Sequence, residues 1–267
     1  HSNSISFRGT EVALYDYAHY NEEILGNKSI IIIPERASEK VPDAVQKFEK
    51  RFGKILWYTD KSDMNRLLKE NGVEIFYAIK QGINAGVLSK VAKNCIHSVF
   101  GELEPHGDVY TVISEWMSRA YSEGKIDFVP HIVQLPDVNL HFRDYLGIPP
   151  EAVVFGRYGG NDTFDLEFVH EVIKKIVSDF QDKYFIFMNT NDFLKGMSHP
   201  NIKFLAGSSD MKVKTAFINT CDAMLHARLR GETFGLAVGE FSLRNKPVIT
   251  FARSPEQAHL WHLREQG

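Results

Sequence analysis

The sequence predicts an α/β protein built from two doubly wound domains with parallel sheets. Short apolar runs of strand length alternate with amphipathic helical stretches along nearly the whole chain. The short runs are apolar throughout, as expected of strands that are buried on both faces of a sheet. A segment with repeated prolines, 130–150, interrupts the alternation, which then begins again. The predicted domains are therefore residues 1–136 and 137–267.

In the first domain, Ile, Val, Phe and Tyr cluster in runs that predict strands at 29–33, 54–59, 73–79, 95–100 and 109–113. Helical patterns lie between several of these runs, at 11–25, 62–70 and 114–121. Thr10 is predicted to be the N-cap of the first helix, because a hydroxyl at that position can accept a backbone N–H bond.

In the second domain, the same criteria predict strands at 152–155, 184–188, 202–205, 223–225 and 248–251. Helices are predicted at 139–146, 165–180, 212–219 and 235–243. A last helix is predicted after Ser254, as its cap, with Pro255 in the first helical position.

The composition excludes several classes of protein. The 267 residues carry a formal net charge of −3, so the basic footprint of a nucleic-acid-binding protein is missing. No apolar run approaches the roughly 20 residues of a membrane-spanning helix. Cys95 and Cys221 lie far apart, which suits a reducing compartment without a disulfide framework. We therefore expect a cytoplasmic protein with no nucleic-acid partner and no transmembrane segment.

Two segments of the second domain carry unusual residues where a strand ends. Arg157 follows a predicted strand inside the glycine-rich stretch 156–162, and a planar guanidinium suits a diphosphate. A surface turn with a solvated arginine has a similar composition. Glu232 and Glu240 flank the entrance of the helix at 235–243. Glu240 shares a helix face with apolar side chains, where a carboxylate needs hydrogen-bond partners; ribose hydroxyls or a structural salt bridge would supply them.

The first domain offers weaker candidates. Gly9 and Thr10 form a glycine turn before a helix, which can hold a phosphate but is also a common way to begin a helix. His97 ends a predicted strand, and such a histidine is more often packed than catalytic. His106 is a weaker candidate in a loop. The sequence has no HExxH, paired CxxC or serine-nucleophile motif, so zinc and Ser-His-Asp chemistry have no support.

Together these segments resemble retaining glycosyltransferases of the GT-B fold, in the large family numbered four (glycosyl transferases group 1, of the Glu-x7-Glu type). The most specific match is Glu232 to Glu240, within Gly-Glu-Thr-Phe-Gly-Leu-Ala-Val-Gly-Glu-Phe. Gly156-Arg157 resembles the diphosphate-binding Gly-Arg element, and Gly9 the N-terminal glycine loop. His97 falls where the family often keeps a sugar-contacting histidine. The resemblance spans nearly the whole chain and implies two Rossmann-like domains that face a cleft.

The resemblance also implies roles for these residues. Glu232, His97 and Arg157 would be the catalytic residues; the donor would bind through Glu240, Gly9, Thr10, Phe234, Gly235 and Leu236. The donor would be a nucleotide sugar such as a UDP- or GDP-sugar, and the acceptor a glycan or a lipid-linked molecule. No Asp-x-Asp motif is present, so a metal-independent transfer without further cofactor is expected. Because members of the resembled family often act on lipid-linked acceptors, the resemblance also implies that the protein could attach peripherally to a membrane.

The sequence departs from the family's pattern in two places. The family usually has a lysine about five residues after the arginine, and here that position is Asp162. Loss of this charge weakens diphosphate binding unless another cation replaces it. Family members are also normally longer, which predicts a chain shortened at both ends, with an incomplete second domain. Two other functions remain open: a nucleotide-sugar 2-epimerase of the same architecture, and a catalytically inactive nucleotide-sugar-binding protein.

Overall fold

The computed structural model describes residues 1–263 and divides the chain into two compact units, His1–Ile132 and Val133–Gly267. The division falls a few residues before the predicted border at residue 136. Every strand pairing in the described residues is parallel. The predicted α/β class with parallel sheets is therefore confirmed.

The first unit alternates helices and strands from its start. Its elements are α1 (Gly9–Glu23), β1 (Ile32–Pro34), α2 (Pro42–Phe52), β2 (Leu56–Tyr58), α3 (Lys61–Glu70), β3 (Ile75–Lys80), β4 (Lys93–Ser98), β5 (Val109–Val112) and α4 (Glu115–Ser122). Strands β1 and β2 pair with each other, and β3, β4 and β5 form a three-stranded sheet in that order. Apolar side chains of α3, such as Met64 and Leu68, pack against Phe76 and Ile96 of this sheet.

The first helix begins earlier than predicted. Helix α1 starts at Gly9 with Arg8 as its N-cap, so Thr10 lies inside the first turn and the prediction that it caps the helix is wrong. No side-chain bond caps the helix at Arg8. Helix α2 was not predicted, although Pro42 at its first position is a typical start signal.

The second unit contains the longer sheet. Its elements are α5 (Arg143–Leu146), β6 (Val153–Tyr158), α6 (Glu167–Asp179), β7 (Lys183–Met188), β8 (Ile202–Leu205), α7 (Met211–Thr220), β9 (Ala223–His226), β10 (Gly231–Glu232), α8 (Leu236–Leu243), β11 (Val248–Thr250), β12 (Glu256–Gln257) and α9 (Ala258–Leu263). Helix α5 is a single turn, much shorter than the predicted 139–146.

Five strands of this unit form one sheet in the order β11-β9-β6-β7-β8. Counted within the unit, this is the order 3-2-1-4-5 of a Rossmann-like sheet, which reverses direction between β6 and β9. Helices α7 and α8 cover one face through Phe217, Val238 and Phe241. Helix α6 covers the other face through Ile173 and Val177. The doubly wound prediction is confirmed for this unit.

The end of the second unit differs from the prediction. Ser254 does not cap a helix; its Oγ donates a hydrogen bond to the carbonyl oxygen of Arg228 at 2.9 Å. The residues that follow form β12, which pairs with β10 at Gly231 and Glu232. The last helix, α9, therefore begins only at Ala258. The pairing of β12 with β10, which is distant in the sequence, outweighs the local helix-start signal of a serine followed by a proline.

Candidate functional site

The candidate site lies where the sheet of the second unit reverses its strand order. In open parallel sheets, ligands bind beyond the carboxyl ends of the two strands that flank such a reversal. Here those strands are β6, which carries Arg157 near its carboxyl end, and β9, which is followed by the loop with Arg228 and Glu232. The topology therefore places the predicted guanidinium and the first predicted carboxylate at the same edge of the sheet.

Arg157 is buried, with 4% of its surface exposed, and is held by protein acceptors. Its guanidinium donates to the hydroxyls of Thr190 at 2.5 Å and Thr163 at 2.6 Å, and to the carbonyl oxygen of Gly160 at 2.9 Å. The guanidinium also lies over the ring of Phe164, 5.6 Å from its centroid. Burial lowers the pKa of Arg157 to about 10, against the opposing effect of the Glu232 carboxylate. Arg157 stays charged at neutral pH and fixes the glycine-rich loop.

Glu232 is partly exposed and held in the ionised form. His226 Nε2 lies 3.2 Å from one carboxylate oxygen, and Arg228 Nη1 donates to the other at 2.9 Å. A carboxylate only accepts, so Nε2 of His226 carries a proton, and its Nδ1 lies 2.9 Å from the Thr250 hydroxyl. Burial alone raises the pKa of Glu232, but the His226 bond and the Arg228 charge outweigh it and lower the pKa below its usual value.

The turn after Glu232 requires a glycine at one position. Gly235 is the N-cap of α8 and adopts a φ of +91°, in the left-handed region that other residues rarely occupy. A Cβ there would lie 3.1 Å from the Cβ of His259. Phe234 is buried and packs against the His262 ring, with centroids 4.5 Å apart. Leu236 begins the helix, so the N–H groups of the first turn lie just beyond Glu232.

Glu240 occupies a different environment. Its side chain is 3% exposed, and one carboxylate oxygen accepts a hydrogen bond from Lys214 Nζ at 3.0 Å. The Lys214 ammonium also lies over the ring of Tyr158, 5.1 Å from its centroid. Tyr158 and Arg157 are neighbours on β6, so their side chains point to opposite faces of the sheet. The structure thus brings Arg157 and Glu232 together, and holds Glu240 in a buried pair with Lys214, whose ammonium lies beside Tyr158.

The remaining predicted residues lie in the first unit. His97 is 1% exposed; its Nδ1 is 2.7 Å from the Tyr77 hydroxyl and its Nε2 3.0 Å from the Val129 carbonyl oxygen. Burial lowers the pKa of His97 to about 4, so the ring is neutral at pH 7. Gly9 and Thr10 form the start of α1. A role of these residues in sugar or donor binding stays a prediction.

Sequence reasoning missed three side chains that complete these arrangements: His226, Arg228 and Lys214. Arg228 stands four residues before Glu232, a spacing that could have suggested the ion pair. Lys214 is 26 residues from Glu240, and only the packing of α7 beside α8 brings the two together. Asp162, at the position where the family has a lysine, is exposed, and its negative charge acts on Arg157.

Comparison with known proteins gives likenesses of fold alone. No protein-family model matches the chain, and no curated protein sequence matches it. The solved structure of WaaG, a glycosyltransferase involved in lipopolysaccharide biosynthesis, superposes with a TM-score of 0.63 at 12% identity, over 98% of this chain and 82% of WaaG. The Anabaena protein HepE, solved with UDP-glucose, gives 0.65 at 14% identity, over 97% and 80% of the two chains.

A third similar structure is a candidate UDP-N-acetylglucosamine 2-epimerase from Listeria monocytogenes. Its TM-score is 0.60 at 13% identity, over 97% of this chain and 81% of that protein. A glycosyltransferase, a protein solved with UDP-glucose and a candidate epimerase therefore share one fold with this chain. The chain has the GT-B fold, with two Rossmann-like units. Within residues 1–263, no helix is long and apolar enough to cross a bilayer.

Proposed function

We propose that this protein is a glycosyltransferase that moves a sugar from a nucleoside diphosphate donor to an acceptor hydroxyl with retention of configuration. In this proposal it is related to the family-four enzymes that the Glu-x7-Glu element resembles. Transfer requires stabilisation of the negative charge that develops on the departing diphosphate and of the oxocarbenium-like sugar. The site must therefore combine fixed cations with a carboxylate that stays ionised.

One observation carries the proposal: at the reversal point of the sheet, an ionised carboxylate lies close to two guanidinium groups and just before the N-terminus of a helix. Arg228 and His226 hold Glu232 ionised, and Arg157 lies within electrostatic range of it. The glycine turn at Gly235 then leads into α8, whose first N–H groups favour anions. This arrangement has the cations for a diphosphate and an oriented carboxylate for the sugar beside it.

Each residue then has a proposed role. Arg157 supplies positive charge to the diphosphate, together with the N–H groups of Gly235 and Leu236 at the start of α8. Glu232 accepts hydrogen bonds from the donor sugar and orients its anomeric carbon. It acts by orientation and charge, because its two oxygens are already engaged by His226 and Arg228. In a retaining transfer of this kind the acceptor hydroxyl attacks from the face that the diphosphate leaves.

The other predicted residues complete the donor site. Glu240 is proposed to bind the ribose hydroxyls, with Lys214 holding its carboxylate in position. Phe234 is proposed to shape the donor site through its packing with His262. Gly9 and Thr10 are proposed to contact the donor, and His97 the sugar. The reaction is proposed to need no metal ion, and the acceptor is a glycan or a lipid-linked molecule.

The test is a panel of UDP-, GDP- and ADP-sugars incubated with the protein, with and without oligosaccharide and lipid-linked acceptors. A transferase releases free nucleoside diphosphate, and release accelerates with the correct acceptor. Nuclear magnetic resonance of the product shows whether the anomeric configuration is retained. Binding of these nucleotides, measured by calorimetry, without any turnover would contradict transferase activity and favour an inactive binding protein.

A 2-epimerase is the second candidate, because the Listeria protein of similar fold carries that name. An epimerase would convert the donor to its C2 epimer without an acceptor, and would need acid and base groups near the sugar. In the described site, the carboxylate of Glu232 is engaged by two cationic or protonated partners, which suits orientation better than proton transfer. The same incubation separates the two functions, since epimer formation appears in the spectrum of the donor itself.

A further inference from the structure

The region around Arg157 has too little positive charge for a diphosphate if Arg157 acts alone. Asp162, Asp165 and Glu232 all act electrostatically on Arg157. Asp162 also stands where the resembled family has a lysine. A diphosphate brings further negative charge into this region, so a second cation is needed for binding.

Arg157 is also poorly placed to donate directly. Its guanidinium is buried and donates to two threonine hydroxyls and to the carbonyl oxygen of Gly160. The bonds to Gly160 and Thr163 close the glycine-rich loop onto the end of β6, and the bond to Thr190 ties Arg157 to the residues after β7. Arg157 therefore acts on a ligand through its charge and by holding the loop, more than by bonds of its own.

Arg228 lies close to this loop, in the segment between β9 and β10. The backbone N–H of Leu229 donates to Asp165 at 2.7 Å, which ties the two loops together. The carbonyl oxygen of Arg228 accepts bonds from Ser254 Oγ at 2.9 Å and from the N–H of Gly231 at 3.2 Å. The charge of Arg228 acts on Arg157. Arg228 therefore has a fixed backbone beside the arginine of β6.

The guanidinium of Arg228 has donors to spare. Its side chain is 23% exposed, against 4% for the whole of Arg157. Within residues 1–263, its one hydrogen-bond partner is Glu232, through Nη1 at 2.9 Å. A guanidinium has five N–H donors in a planar fork, so most remain for a ligand. The anion that Arg228 already holds is a carboxylate, whose oxygens resemble those of a phosphate.

We propose that Arg228 is the residue that donates directly to the diphosphate, in place of the lysine that is missing at position 162. This inference rests on the proposed function and adds to it a division of work between the two arginines. Arg157 holds the loop and supplies charge from within the protein, and Arg228 faces the ligand. Glu232 keeps the fork of Arg228 in position before the ligand arrives.

The test is the affinity of Arg228→Gln for UDP, GDP and ADP, measured by calorimetry and compared with the parent protein. Arg230→Gln is the matched control, because Arg230 is in the same loop but pairs with Glu256. Loss of a charged hydrogen-bond donor is expected to weaken the best nucleoside diphosphate roughly 10- to 100-fold. R230Q should bind it as the parent does. Affinity for the nucleoside without phosphates should be the same in all three proteins.

A second measurement tests the equivalence with position 162. In the R228Q background, Asp162→Lys is expected to restore part of the lost affinity, because it returns a cation to the other side of the loop. The parent's affinity should also fall more steeply with salt than that of R228Q, since one charge contact is gone. No gain from D162K would overturn the view that the two positions serve the same function.

Different results would contradict this inference and the proposed function. If R228Q binds the diphosphates as tightly as the parent, the inference is wrong and the proposed function stands. If the parent binds no nucleoside diphosphate, both are wrong. If R228Q shows no cooperative unfolding transition and is therefore not folded, the variant Arg228→Lys is used in its place. That variant keeps the charge and loses the fork, so its affinity should fall a few-fold, and an unchanged affinity would overturn the inference.

Discussion

Each unit has a glutamate near a helix N-terminus, Glu11 in the first and Glu232 in the second. The pKa of Glu11 is raised and that of Glu232 is lowered. Glu11, in the first turn of α1, is 2% exposed and accepts hydrogen bonds from Ser2 at 3.0 Å, Ser4 at 2.8 Å and Ser6 at 2.9 Å. Burial raises its pKa, and the hydroxyl bonds only reduce that shift. Glu232 is bound by a guanidinium and an imidazole, and its pKa is lowered.

The difference shows what a shared architecture leaves undecided. Both units alternate helices with parallel strands, yet only the partners of each carboxylate determine what it can do. Because Glu11 accepts hydrogen bonds from three neutral hydroxyls, it holds the segment before α1 against the start of that helix. Charged partners keep Glu232 ionised beside Arg157, at the reversal point of the second sheet. The comparison therefore favours the second unit as the one that binds the charged part of the donor.

The largest expected effect comes from neutralising Glu232. Glu232→Gln should reduce turnover roughly 100-fold, because the sugar loses the group that orients it. Binding of the nucleoside diphosphate alone should change little, because the glutamine keeps an oxygen that accepts from Arg228 and a neighbouring negative charge is gone. Steady-state kinetics and calorimetry measure the two effects separately.

Glu11→Gln is the matched variant in the other unit, and it should change turnover less than about threefold because the anchor of α1 keeps one acceptor oxygen. Equal losses of turnover in both variants would contradict the contrast between the two carboxylates.

The next effect is on stability and comes from the buried pair in the second unit. Lys214→Met leaves the Glu240 carboxylate buried without its cation, which should lower the free energy of unfolding by about 3–5 kcal/mol. The double variant Lys214→Met/Glu240→Leu should recover much of this loss, because neither charge is then buried. Urea denaturation measures both variants. A single variant as stable as the parent would show that Glu240 does not depend on Lys214.

The smallest effect is a dependence of stability on pH that arises in the first unit. The pKa of His97 is about 4 in the folded protein, and an unfolded histidine titrates near 6.5. Below pH 6.5 the unfolded chain takes up a proton that the folded protein does not, so this contribution is complete above pH 6.5 and is lost as the pH falls towards 4. At pH 5 the loss is about 2 kcal/mol.

The measurement is the free energy of unfolding of the parent and of His97→Gln between pH 7 and 5. The difference between the two proteins should shrink by about 1–2 kcal/mol as the pH falls, because the variant lacks the titrating ring. A difference that stays constant would mean that His97 is not held neutral by its burial between Tyr77 and Val129.

Most strands of the fold could be predicted from the sequence, because buried parallel strands are apolar throughout. The strand at 184–188, for example, lies within β7. Errors concentrate where a distant partner competes with a local signal. Ser254 binds the carbonyl oxygen of Arg228 instead of capping a helix, and the residues after it pair with β10.

The site followed the same rule. The motif from Glu232 to Glu240 was visible as a spacing, and the glycine turn at Gly235 as a helix entrance. The Lys214 partner of Glu240 was not visible, because it lies on another helix, and the closeness of Arg157 to Glu232 was not visible, because Arg157 lies on another strand. Only the packing of α7 beside α8, and of β6 beside β9, makes them neighbours.

The amino-acid order by itself therefore determined most of the strands and the longer helices of the second unit, because hydrophobic period and glycine placement act over a few residues. It also indicated Arg157, Glu232 and Glu240 as candidate site residues, but not their partners His226, Arg228 and Lys214. The tertiary structure alone decided the pKa shifts and the hydrogen-bond partners of these side chains, since a pKa depends on burial and on charges a few ångströms away in space. For this reason Glu11 is an anchor, Glu240 is half of a buried ion pair, and Glu232 is an ionised group at the edge of the sheet.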